Sequence, residues 1–148
     1  MANRVDVNMD GIDAVARKLE ELGFDCRIER EGRKKFLAAS RKGSRNEFRV
    51  RVKVKRERGH WHSRVEEGED NEQNDAAAFW VFVNLQNYER APTFWIVPEP
   101  WIRKNIREFH QKYLDRRGGH RRDNDESDHH SIDEGRIAEW EDRWDIIP

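Results

Sequence analysis

The chain has 148 residues, 40% of them charged and 35% hydrophobic, and its 29 Lys and Arg nearly balance 30 Asp and Glu. That length suits a single domain spanning 1–148, and the six Trp and seven Phe, gathered in short apolar runs, argue against a wholly disordered chain. The lone Cys26 excludes an internal disulfide, and with no signal-like start and no apolar run of about 18 residues a soluble, cytoplasmic protein without a membrane span is expected.

In chain order, MDGIDAVARKLEELG (9–23) places Ile12, Val15, Ala16, Leu19 and Leu22 at helical spacing, with Gly23 as the stop. FDCRIER (24–30) and KKFLAASR (34–41) read as strands joined by a turn at 31–33, and KGSRN (42–46) supplies the next turn. FRVRVKVK (48–55) alternates strictly, the pattern of a half-buried strand. AFWVFVNL (78–85) is apolar on both faces, as a strand covered on both sides would be. TFWIVP (93–98) is a further strand, and a helix over 100–114 follows from Ile102, Ile106, Phe109 and Tyr113 with Pro100 at its start. A charged excursion is expected at 64–77, a polar one at 115–131, and a short closing helix at 132–147 packing Ile137, Trp140 and Trp144. The order predicts an α+β fold: a helix, a three-stranded meander, two further strands in a mixed central sheet, and flanking helices.

Charge is distributed unevenly. Residues 33–64 hold thirteen Lys or Arg against Glu47 and Glu57, and EEGEDNEQND (66–75) then carries six acids and no base. Within the basic block, Arg49, Arg51, Lys53 and Lys55 share one strand face, where same-side neighbours are roughly 6.5–7 Å apart. Such a row repels itself unless an anion lies on it. A phosphate backbone is one candidate, and the acidic loop of the same chain is another.

Four stretches in this order, RVK (51–53), the turn GHWHS (59–63), FWVFVNL (79–85) and FWIVP (94–98), with RRGGHRRDNDESDHHSID (116–133) and the closing WEDRWDII (140–147), resemble a group of small bacterial proteins of the PD-(D/E)XK nuclease-like superfamily. The resemblance implies a restriction-endonuclease-like core and metal-dependent phosphodiester hydrolysis. In such enzymes, an acid at the start of the second strand and another on the third bind Mg²⁺ or Mn²⁺, while a third-strand Lys polarises water or phosphate. The matching positions here are Lys35, Arg51 and Lys53, so only the Lys agrees. Two bases in place of two acids invert the charge a divalent cation would meet. The resemblance therefore implies a degenerate scaffold that keeps a nucleic-acid surface, most simply for DNA, and needs no cofactor.

On that reading, the nucleic-acid-binding candidates are Lys35, Arg49, Arg51, Lys53, Lys55, Trp61, Arg117, Arg121 and Arg122. Trp61 is a candidate for stacking on a base, against a simpler role in packing. The arginines surround Gly118–Gly119, where backbone N–H groups could approach a phosphate. The alternative is an active Mg²⁺- or Mn²⁺-dependent nuclease, with Lys53 catalytic and relocated acids drawn from Glu21 and Glu47, or less directly Glu20, Glu29 and Glu31. Weak metal-ligand candidates are His60 with His62, and Asp128, His129 and His130 near Asp125. A third reading is a protein-interaction or regulatory module, and an unpaired sheet edge leaves room for a homodimer.

Overall fold

The computed structural model describes residues 6–68, 78–116 and 129–148. Helix α1 (Val7–Glu21) starts two residues before the periodic stretch, because the Asp6 carboxylate accepts from the Met9 N–H and caps it. It ends at Leu22, and Gly23 takes a φ of 95°, which glycine adopts without strain. Strands β1 (Phe24–Glu31), β2 (Lys34–Arg41) and β3 (Phe48–Lys55) then form an antiparallel meander. Strand β4 (Trp61–Arg64) and a 3₁₀ turn over 65–68 lead out of it. Strands β5 (Ala78–Asn84) and β6 (Thr93–Pro98), helix α2 (Glu99–Arg116) and strand β7 (His129–Ile132) complete the elements before the C-terminal segment.

The main sheet is mixed, in the order β1-β2-β3-β5-β6, with β3 and β5 parallel and the other neighbours antiparallel. Alternation divides its side chains between two cores. On one face Leu37, Val50, Val81, Val83 and Ile96 pack beneath Ile12, Val15 and Leu19 of α1. On the other, Trp80, Phe82, Trp95 and Val97 pack against Ile102 and Ile106 of α2, with Trp61, Ile132 and Ile137. Strand β5 is buried along its whole length, as its run of apolar residues requires. α1 crosses β3 closely through Gly11, where a Cβ would run into the Val54 side chain.

Three expectations need correction. The stretch around GHWHS is a strand rather than a plain turn, because β4 pairs with β7 in a second, two-stranded sheet that sets Trp61 beside Ile132. Residues 129–131, assigned to a loop, are the other half of that pair. The closing segment is not one helix: 3₁₀ turns at Glu134–Trp140 and Trp144–Ile146 are separated by Asp142, whose φ is 53°. Its apolar residues are spaced to reach two different cores, Ile137 the α2 side and Ile147 the α1 side, which a continuous short helix could not do.

Candidate functional site

Strand divergence opens a hollow beside β3. β2 pairs with β3 only over Leu37–Ala39, while β3 continues alongside β5 as far as Lys55. The start of β2 therefore swings away from Arg51, Val52 and Lys53. The gap is closed by the N-terminal end of α1 on one side and by β4 with its 3₁₀ turn on the other, leaving a hollow of about 540 Å³. Six Lys or Arg line it, namely Arg33, Lys34, Lys35, Arg51, Lys53 and Arg64, against two carboxylates, Asp6 and Glu67. An adjoining cavity of about 430 Å³ under the N-terminal end of α2 shares Lys34, Lys35, Arg51 and Glu67 with it.

The cation row of β3 finds its anions within the chain. Arg49 donates to Glu31 at 2.7 Å, and Lys55 lies 3.2 Å from Glu134 and donates to the Gly59 carbonyl. Arg51 donates to Glu67 at 2.9 Å, and Lys53 reaches both oxygens of the same carboxylate at 3.2 Å. Glu67 also accepts from the Ser63 hydroxyl and the Arg64 N–H. Its position is fixed from behind. Arg103 and Arg107 of α2 donate to the carbonyls of Glu67 and Gly68, and Gly68 fits because a Cβ there would lie 2.8 Å from Ile106 Cγ2.

One carboxylate thus serves two cations, and the site keeps a positive excess. Burial and charge both act on the pair. Burial pushes the Lys53 ammonium below its ordinary value, opposed by Glu67 and reinforced by Arg51 and Lys34. Burial acts to raise the Glu67 carboxyl, but Lys53 and Arg51 outweigh it and hold it below the ordinary range. Trp80, fully buried beneath the row, has Arg51, Lys53 and Arg103 each within 5.6 Å of its ring centroid.

Lys34 and Lys35 part company at the strand. Lys34 lies an odd number of residues from Leu37 of the α1 core and so shares the face of Arg51 and Lys53, and its charge acts on Lys53. Lys35, expected to converge with them, turns to the α1 side, where its Nζ lies 3.6 Å from Met9 Sδ, and lines the hollow from there. The register explains this: Leu37 and Ala39 belong to the α1 core, so Lys35 shares their side.

Trp61 is 1% exposed, packs edge-on against Phe82 and Trp95, and donates its Nε1–H to the Val83 carbonyl. It cannot stack on a base. Glu47 is held by Arg27 of β1 at 2.6 Å, and Glu21 pairs with Lys18 on the outer side of α1, so neither joins Lys53. Glu29 also binds Arg27. His60 is exposed at the mouth of β4, and His62 lines the hollow. His130 sits with its Nε2 2.8 Å from Arg136, a donor-only guanidinium, so that nitrogen accepts. Arg136 itself, lowered to about 10 by burial, lies over Phe109 and also donates to Asn105. His129 belongs to β7, opposite Arg64. Arg117, Arg121, Arg122, Asp125 and Asp128 lie outside the described residues.

The residues of the hollow do not fit the divalent cation that the nuclease resemblance implies. Bases occupy the matching strand positions, Glu67 is committed to two cations, a hydroxyl and an N–H, and Asp6 caps α1. Among the described residues, no three His, Cys, Asp or Glu side chains come together in a metal-binding group. No helix among them is long and apolar enough to cross a membrane.

Sequence reasoning singled out Arg51 and Lys53 but not Lys34 or Glu67. Lys34 was recoverable from parity, since it lies an odd number of residues from Leu37. Glu67 was one acid among six in its run, and nothing local marks it out. Searches against protein-family models, curated proteins and solved structures find no match to this chain.

Proposed function

We propose that this protein binds the phosphate backbone of nucleic acid, DNA in the first instance, on a nuclease-like scaffold that lacks metal-binding carboxylates at its ancestral positions. The observation that carries this reading is the charge of the open hollow, where six cations meet two carboxylates, a surplus of four. Polyanions are attracted to such a cleft because its low-dielectric walls concentrate the field. The element order of helix, meander and two further strands in a mixed sheet supports the nuclease-like resemblance, as do the matching RVK and FWIVP stretches.

The binding surface, on this account, is the hollow and not the full row of β3. Arg49 and Lys55 are each matched by a carboxylate of their own, whereas Lys34 has no ion-pair partner among the described residues. Glu67 holds Arg51 and Lys53 in the lining of the hollow. A phosphate would enter beside Glu67, meeting Lys34, Lys35 and Arg51.

The test is incubation of the purified protein with labelled single- and double-stranded DNA and RNA in Mg²⁺, Mn²⁺ and chelator, with binding and cleavage read together. Binding that is indifferent to chelator and leaves the strand intact is the expected result. Cleavage that needs metal and is lost in Lys53→Ala would establish the active-nuclease alternative. Absence of binding at physiological salt would instead favour an interaction module, a reading to which the internal pairing of the β3 row lends weight.

A further inference from the structure

The two edges of the main sheet are treated differently. Along β6, the C-terminal segment closes the edge: Glu141 bridges to Trp95, and the Asp142 N–H donates to the Phe94 carbonyl. Along β1, eight residues pair with β2 on one side, and among the described residues no strand lies on the other. Ile28, in the middle of that edge, is 44% exposed, although its neighbour across the ladder, Leu37, is fully buried. A bare strand of this length presents a row of unpaired N–H and C=O groups.

The side chains of β1 determine what fits there. Within DCRIERE (25–31), acids and bases alternate around Ile28, with Arg27 before it and Glu29 after it. An antiparallel copy of the same strand, centred on Ile28, sets Ile28 against Ile28. It sets Arg27 against Glu29 of the second copy, and by symmetry Glu29 against its Arg27. Pairing of residues whose numbers sum to an odd value would put apolar positions against charged ones. Centring on Arg27 or Glu29 would oppose like charges, which is destabilising on a sheet. The Ile28-centred register spans the strand, and only Asp25 against Glu31 opposes it. Arg27 and Glu29 are both partly exposed and 2.7 Å apart in one chain, and Arg27 also holds Glu47 at 2.6 Å, so Glu29 of the second copy would take the place of Glu29, not of Glu47, on the guanidinium.

We infer that this protein forms a two-fold dimer by antiparallel pairing of β1 with β1 of a second copy, joining two five-stranded sheets into one of ten strands. The two-fold runs perpendicular to the sheet, so both α1 helices lie on one side of it and the corresponding faces of the two copies point the same way. Five strand spacings separate the two β3 strands, roughly 24 Å. The dimer does not depend on any ligand. Should the proposed function also hold, it would present two basic hollows on one face.

Sedimentation equilibrium over a wide concentration range tests this without nucleic acid. Wild-type protein is expected to dimerise. Arg27→Glu and Glu29→Arg alone should each weaken the dimer at least tenfold, Ile28→Arg should abolish it, and the Arg27→Glu/Glu29→Arg exchange should restore it. The register has its own readout: Arg30→Cys places the introduced thiol opposite Cys26 of the other copy, and mild oxidation should yield a covalent dimer that wild type does not form. Circular dichroism confirms that each variant is folded. A wild-type monomer throughout, or a dimer indifferent to both single charge reversals and to Ile28→Arg, would overturn the inference.

Discussion

Both carboxylate oxygens of Glu67 lie 3.2 Å from the ammonium of Lys53, and one of them also takes a hydrogen bond from Arg51. All three side chains are at most about one third exposed. Removing the anion would leave two partly buried cations facing each other. Glu67→Gln keeps the shape and removes the charge, and it is expected to destabilise the fold by about 3 kcal/mol. Urea denaturation measures this directly, and a change within about 0.5 kcal/mol would show that water or another group compensates the pair.

The same carboxylate gives acid sensitivity. Its folded pKa lies below the ordinary 4.5, so its stabilisation is present above that pH and is lost as pH falls through the folded value. Lys53 acts at the other end. Its folded pKa lies below the ordinary 10.5, so this group adds stability as pH rises through the folded value toward 10.5. Thermal melts across the acid range should show a limb that steepens below pH 4.5 and flattens in Glu67→Gln. An unchanged acid limb in the variant would assign it to other groups.

Trp61 separates packing from recognition. Trp61→Phe retains most of the buried ring but leaves the Val83 carbonyl without its donor, a cost of about 1–2 kcal/mol. Nucleic-acid affinity should remain within twofold of wild type once folding is verified. A tenfold loss of affinity with stability intact would return Trp61 to the binding surface.

Gly11→Ala tests how tightly α1 lies on β3. The added methyl meets Val54, so a loss of about 1–3 kcal/mol is expected. Val54→Ala in the same chain should recover part of it, giving a coupling energy in a double-mutant cycle. Additive effects would mean that the helix simply lifts away from the strand.

Much of the fold was legible because its signals are local and periodic. β3 alternates with period two, β5 is apolar throughout, and Gly23 and Pro98 mark the ends of elements. The β4–β7 pair was not legible: it joins residues nearly seventy positions apart, and each strand is four residues long. The 3₁₀ character of the C-terminal segment escaped for a related reason, since Ile137, Trp140 and Trp144 fit a helical spacing while packing against different elements. At the site, the sequence revealed a self-repelling cation row and allowed that the acidic loop could answer it. Which acid does so depends on the clamp of Arg103 and Arg107 from α2, a tertiary contact without a local signature.

The most direct measurement of the central claim is the salt dependence of DNA binding, by fluorescence anisotropy, for wild type and for Lys34→Glu and Arg30→Glu. Phosphate contacts release counterions, so wild-type affinity should fall steeply between about 50 and 200 mM salt. Lys34→Glu should reduce both the affinity and the slope, while Arg30→Glu, on the α1 face of the edge strand, should leave them close to wild type. Equal losses from the two reversals, or an affinity independent of salt, would contradict the assignment of binding to the hollow.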